Sequence, residues 1–97
     1  MRLAVAIVSL VACATAPVQE MSDARQAIHS AEVVGALQRS PQVLMEAQRL
    51  LQEAQTRLES GAYEDARRYA LDARQQAIKA REIALRNNRV FRSNQDP

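Results

Sequence analysis

Aromatic, glycine, proline and cysteine residues are all scarce in this sequence of 97 residues. It has no tryptophan, two tyrosines, one phenylalanine, two glycines and three prolines. It also has no glycine-rich loop, no β-branched run and no alternating apolar pattern, so nothing in it predicts a β-sheet. Abundant alanine and the helical spacing of the apolar residues predict an all-α fold instead.

Cysteine and histidine each occur once, which excludes several kinds of site. The single Cys13 cannot form a disulfide within the chain, and His29 without a cysteine cluster lacks the ligand spacing of a metal site. His29 lies among polar helix positions and is expected to be solvated. No nucleophile has a recognisable base, and Glu64-Asp65 are explained as acids at the start of a helix. We therefore predict a protein that is not an enzyme, with no catalytic residue, metal site or cofactor.

The only long apolar run of the sequence lies at its N-terminus. Following Met1-Arg2, residues 3–12 are uncharged, mostly apolar and end in small residues, which is typical of a secretory signal. A membrane-spanning helix needs about 20 apolar residues, so this run is too short to be one. We predict a signal peptide at residues 1–12 and no membrane-spanning helix elsewhere.

The signal ends in Leu10-Val11-Ala12-Cys13, which resembles the bacterial lipobox. The resemblance implies that the Cys13 thiol receives a diacylglycerol group, that a peptidase cuts before it, and that its freed amine is acylated with a chain such as palmitate. Several acyl chains hold a protein firmly on a membrane. Ala14 stands where an aspartate would favour the inner membrane, so the outer membrane is expected. The alternative is conventional cleavage at Ala12-Cys13-Ala14 or Ala14-Thr15-Ala16, which would leave a soluble periplasmic protein.

Turn and cap residues divide the rest of the chain into three helices. Ser22 suits the N-cap of the first, and Ser40-Pro41 suits the start of the second, because proline is tolerated at the first helical position. Gly61 can adopt the left-handed conformation that ends the second helix, and Asn87-Asn88 marks the end of the third. The predicted segments are a lipidated tether at 13–21, a helical domain at 22–88 with helices at about 23–38, 41–59 and 62–86, and a polar, disordered tail at 89–97.

The second and third helices are predicted to form an antiparallel hairpin, because the Ser60-Gly61 turn is tight. The predicted pairs, in which no layer but the first sets two large side chains against each other, are Leu58–Tyr63, Ala54–Ala66, Leu51–Ala70, Ala47–Ala73 and Leu44–Ala77. The same folding brings Arg57 near Asp65 and Arg49 near Asp72.

Two arrangements of the first helix are open. Its apolar stripe either completes a three-helix bundle or stays apart while the hairpin associates with a second copy, so a homo-oligomer is possible. The stripe consists of Met21, Ala24, Ile28, Ala31 and Gly35.

Five short motifs that contain alanine recur along the helices: Ser22-Asp23-Ala24-Arg25, Ala31-Glu32, Gly35-Ala36, Ala47-Gln48-Arg49-Leu50-Leu51 and Gly61-Ala62-Tyr63-Glu64-Asp65-Ala66-Arg67. With these motifs the chain resembles domain-of-unknown-function family 4398, a bacterial envelope domain found in short lipoproteins and beside outer-membrane modules. The resemblance covers most of Ser22–Leu85 and implies location and fold, but no activity. Gly61-x-Tyr63-x-x-Ala66 also resembles the turn of a tetratricopeptide repeat, although Ala70 and Ile78 depart from that pattern.

Charge is divided unevenly along the chain. Acids outnumber bases from residue 20 to 65, and bases dominate from residue 67 to 92, although the net charge is only +2. Either these charges pair and are solvated, or the end that carries Arg86, Arg89 and Arg92 contacts an anionic surface such as lipid headgroups, lipopolysaccharide or peptidoglycan. Nucleic acid is not expected as a partner, because the signal directs the chain out of the cytoplasm.

The sequence thus predicts an outer-membrane-anchored lipoprotein of the bacterial cell envelope. Its helical domain faces the periplasm and has a structural or protein-interaction role, with an envelope protein, peptidoglycan or anionic lipid as the candidate partner. The alternative is a soluble periplasmic adaptor that binds a peptide or a partner helix through the groove of the hairpin.

Overall fold

The computed structural model describes the backbone of residues 15–95 and the side chains of residues 15–89. Within that range the chain forms four helices and no strand: α1 Val18–Val33, α2 Ala36–Arg39, α3 Pro41–Glu59 and α4 Tyr63–Gln95. The predicted all-α fold is confirmed. The predicted signal peptide and the predicted lipidation of Cys13 concern residues outside the described part.

Helices α3 and α4 form the predicted antiparallel hairpin. Arg57, near the end of α3, lies 3.7 Å from Asp65, near the start of α4. The second predicted pair is wrong, because Arg49 lies 2.8 Å from Glu46 on its own helix. A partner three residues away on one helix is reached without crossing to α4, so it competes well with Asp72.

Helix α1 completes a three-helix bundle and runs parallel to α4. At its start Glu20 lies 3.5 Å from Arg67, and further along Ile28 packs with Ala77 and Ala80. Since α1 packs against both α4 and α3, the arrangement that leaves it apart from the hairpin is wrong.

The core is built from alanines on α4 and larger side chains on α1 and α3. Leu44 and Ala77 share one packed cluster, and Leu51 packs against Ala70 in another, as the hairpin register predicts. Small residues on the central helix let α1 and α3 approach its backbone closely. The fully buried alanines of α4 are Ala66, Ala70, Ala73, Ala77, Ala80 and Ala84.

The turn between α3 and α4 confirms the prediction made for Gly61. Gly61 has a φ of +82°, in the left-handed region. Its N–H donates to the Leu58 carbonyl at 3.0 Å, and the N–H of Ala62 donates to the Arg57 carbonyl at 2.9 Å. These two bonds satisfy carbonyls that the helix end leaves open, in the pattern of a Schellman motif. The predicted bounds of α3 are likewise confirmed.

The predicted start of the first helix is wrong, because α1 begins at Val18 directly after Pro17. Ser22 therefore lies inside the helix and does not cap it. Pro17 and Met21 are both buried, and Met21 packs with Ala54 and Ala70. Burial of these side chains stabilises an additional helical turn, so the segment from Pro17 to Met21 belongs to the bundle and not to a tether.

Helix α1 also ends earlier than predicted. The sequence places Gly35 in the apolar stripe, but Gly35 has a φ of +87°, and its N–H donates to the Glu32 carbonyl at 3.0 Å. A left-handed residue at this position ends the helix. The short α2 then directs Ala36 into the core, where it is fully buried.

The predicted end of the last helix at Asn87-Asn88 is wrong as well, since α4 continues to Gln95. Asparagine costs well under about 1 kcal/mol in a helix interior relative to alanine. The side-chain amide of Asn87 also donates to the carbonyl oxygen of Arg39 at 3.0 Å, which offsets that cost. The predicted disordered tail is therefore helical from residue 89 to Gln95.

Candidate functional site

The start of the described chain lies at the end of the bundle that contains the Ser60-Gly61 turn; we call this end the turn pole. The Arg67 guanidinium, near the start of α4, donates to the carbonyl oxygen of Thr15 at 3.3 Å. The same guanidinium is 2.8 Å from Glu64 and 3.5 Å from Glu20. Cys13, two residues before Thr15, is outside the described residues, but the chain that leads to it starts from the turn pole.

The predicted anionic-surface residues lie near the end of α4, around Asn87, whose side-chain amide bonds the carbonyl oxygen of Arg39 in α2. Arg86 and Arg89 are exposed, and neither has a hydrogen bond or ion pair with any residue of the described part. The backbone of Arg92 continues α4, whereas its side chain is outside the described residues. We call this end, from residue 86 to 95, the basic pole.

The turn pole and the basic pole are at opposite ends of the bundle. Arg67 and Arg89 are both on α4, and a helix rises about 1.5 Å per residue, so they are separated by about 33 Å along the axis. Because α1 runs parallel to α4, the chain enters the bundle at the turn pole. The described chain therefore begins, at Thr15, at the end of the bundle opposite to Arg86 and Arg89.

A second surface follows one flank of α4 and was not predicted as a site. Leu71 and Ile78 are exposed at 45% and 37% of their surface, and Leu85 is half-buried in the same seven-residue row. Arg74 and Arg81 follow Leu71 and Ile78 by three residues, which places them on the same side of the helix. We call these five residues the α4 flank.

The groove of the hairpin is occupied by the chain itself. Met21 packs against Ala54 and Ala70, and Ala24 packs against Leu50 and Ala73, so α1 fills the depression between α3 and α4. A partner helix therefore has no open path into the groove that the sequence predicts for the adaptor alternative.

Several other polar side chains form contacts on the surface of the helices. Arg57 bonds Glu53 at 3.0 Å, which raises the pKa of Arg57, and its guanidinium lies 5.5 Å from the centre of the Tyr69 ring. Arg49 bonds Glu46, and this lowers the pKa of the carboxyl. His29 is exposed, as predicted, 4.0 Å from Glu32.

The residues from 15 to 95 contain no group of histidine, cysteine and acidic side chains that could hold a metal ion. Across the same residues, no helix combines the length and the apolar character that crossing a membrane requires.

Comparison with known proteins places the chain in a family. Residues 19–89 match the model of the family described as Domain of unknown function (DUF4398). The chain belongs to this family. The matched part of this DUF4398 protein extends from the first turn of α1 to Arg89 and thus covers α2, α3 and most of α1 and α4. No curated protein and no solved structure matches the chain.

Proposed function

We propose that this DUF4398 protein is an outer-membrane lipoprotein of the bacterial cell envelope, held by lipid on Cys13. Its helical bundle faces the periplasm and serves as a structural or protein-interaction module. The observation that supports the proposal best is the sequence Leu10-Val11-Ala12-Cys13 at the end of an apolar run, immediately before a folded domain.

The short segment between Cys13 and the bundle limits how far the bundle could lie from the membrane. Pro17 is buried in the bundle, and the segment from Cys13 to Pro17 spans at most about 14 Å when extended. An anchored protein would therefore hold its turn pole close to the lipid headgroups. The bundle would extend from there along α4, with the basic pole away from the anchor.

This orientation limits which anionic surface Arg86, Arg89 and Arg92 would contact. With the bundle upright, the backbones of these residues lie roughly 29 to 38 Å along α4 from Arg67 at the turn pole, farther than the screening length of about 8 Å at physiological salt. The headgroups around the anchor are then out of reach. Peptidoglycan, an anionic layer at a distance from the membrane, is the partner we propose for the basic pole.

The alternative, a soluble periplasmic adaptor with a helix in the hairpin groove, has less support. Its binding groove is filled by α1 through Met21 and Ala24. Displacing α1 would expose those side chains to water at a cost of several kcal/mol, at about 25 cal/mol per Å².

Metabolic labelling with a palmitate analogue tests the anchor. The unchanged chain should take up the label and sediment with outer membranes, and Cys13→Ser should lose both the label and the membrane. Ala14→Asp is the matched control, because it leaves the thiol in place and should keep the label. An unlabelled native chain, or a label that persists in Cys13→Ser, would show that the proposal is wrong.

A further inference from the structure

The residues of the α4 flank form one continuous row on the helix, although none of them are adjacent in sequence. Leu71, Ile78 and Leu85 are each separated by seven residues, which is close to two helical turns. Arg74 and Arg81 follow three residues after the first two and lie along one edge of the row. Aliphatic and cationic side chains therefore alternate along the flank at helical spacing.

The bundle leaves this row open. Leu71 and Ile78 keep 45% and 37% of their surface in solvent, although the neighbouring alanines of α4 are fully buried. Beside Ile78, a groove of about 310 Å³ separates α4 from α1 and is lined by Asp23, Gln26, Ala27 and Arg74. A groove of this size accepts an aliphatic side chain from outside.

The charge on the flank is unmatched. Arg74 and Arg81 are exposed, and neither has a hydrogen bond or ion pair with any residue that the structure describes. In contrast, Arg57 and Arg67 are each within 4 Å of an acidic side chain. An exposed apolar row with free guanidinium groups along its edge favours an occupant with acidic side chains next to aliphatic ones.

We propose that the α4 flank docks an acidic amphipathic helix of another protein. Seven-residue spacing on one helix is complementary to the same spacing on a second helix, with aliphatic residues in the row and acids facing Arg74 and Arg81. This is consistent with the interaction role proposed above but does not depend on the lipid anchor.

Two other occupants fit less well. A second copy that placed its own α4 flank here would set Arg74 and Arg81 against arginines, which is unfavourable. Glu46 and Glu53 of α3 do not replace them, because they are already paired with Arg49 and Arg57.

A membrane surface is the other occupant that fits poorly. The exposed aliphatic area of Leu71 and Ile78 is small for insertion into lipid.

Photocrosslinking in the native cells tests the docking surface with the full chain. A benzophenone amino acid at Leu71 or Ile78 should form a covalent product with another protein. The crosslinked peptide of that protein should come from a helix with acids three or four residues from its aliphatic positions. The same amino acid at Lys79, which is exposed and lies about 100° around the helix from Ile78, is the matched control and should give much less product.

Charge variants then distinguish docking from chance proximity. Arg74→Glu with Arg81→Glu should lower the crosslink yield roughly tenfold, and Arg74→Lys with Arg81→Lys should retain most of it. Neither pair should change the thermal unfolding curve, because both side chains are exposed. A product between two copies of this chain, a product with lipid alone, no product, or a yield unaffected by charge reversal would each overturn the proposal.

Discussion

The hydroxyl of Ser40 donates a hydrogen bond of 2.7 Å to the carbonyl oxygen of Ala80, forty residues later in the chain. Ser40 is the only buried polar side chain of the described residues, at 5% exposure. It occupies the N-cap position of α3, but no capping bond from its side chain is formed. The hydroxyl instead joins the start of α3 to the backbone of α4 and fixes the position of the two helices along their axes.

Ser40→Ala should lower the free energy of unfolding by about 1 kcal/mol. The substitution removes one buried hydrogen bond of ordinary strength, while the Ala80 carbonyl keeps its place in the α4 backbone. Urea unfolding followed by circular dichroism measures the change. Thr56→Ala is the control, because its exposed hydroxyl bonds only the Gln52 carbonyl of the same helix, and it should change stability by less than about 0.5 kcal/mol. Equal effects of the two substitutions would contradict the interhelical role of Ser40.

Ala70→Glu should unfold the bundle. Ala70 is fully buried and packs against Met21 and Ala54, so a carboxylate there would have neither water nor a partner. Such a group costs more than about 3 kcal/mol, a large part of the stability of a small domain. Far-ultraviolet circular dichroism should show a loss of helicity at 25 °C. Gln75→Glu, an exposed change on α4, is the control and should leave the spectrum unchanged. A folded Ala70→Glu variant would mean that the alanine stripe is not the core.

The ion pair between Glu46 and Arg49 gives a prediction for pH. The hydrogen bond from Arg49 lowers the pKa of Glu46 below its ordinary value. A carboxyl with a lowered folded-state pKa contributes stability above its unfolded pKa and loses it as the pH falls through the folded value. In Arg49→Gln the pKa of Glu46 should rise, as measured by NMR titration of the side-chain carboxyl. An unchanged Glu46 titration would show that the pair does not form in solution.

The elements that could be predicted are those whose ends are set by local chemistry. α3 begins at Pro41, because a missing N–H is tolerated at the first helical position. It ends before Gly61, because the left-handed φ of Gly61 cannot continue the helix. The start of α1 could not be predicted in this way. Ser22 is a suitable cap, but burial of Pro17 and Met21 against the hairpin extends the helix past it. Tertiary packing of this kind overrides a local signal.

The candidate surfaces could be predicted only in part from the sequence, for a related reason. The arginines near the end of α4 and the seven-residue row of Leu71, Ile78 and Leu85 can be read from spacing alone. The parallel packing of α1 decides which apolar row of α4 is covered. It also decides at which end of the bundle the N-terminal segment lies. That packing shows in contacts such as Glu20 with Arg67, which join distant parts of the chain.

Replacing Arg86, Arg89 and Arg92 with glutamine should weaken binding to isolated peptidoglycan. Arg86 and Arg89 are exposed and free of partners among the described residues, so their loss should affect an external anion and leave the bundle intact. Binding by exposed charges falls with salt, and co-sedimentation at low and physiological salt should show a shallower salt dependence for the triple variant.

The matched control removes the same charge from exposed arginines elsewhere, by changing Arg25, Arg49 and Arg68 to glutamine. If the basic pole is the contact, the control should sediment nearly as well as the unchanged chain. Equal losses in both variants would mean that net charge alone drives binding. Sedimentation of the Arg86, Arg89 and Arg92 variant at the unchanged level would exclude the basic pole as the contact, and these arginines would then serve only to solvate the end of α4.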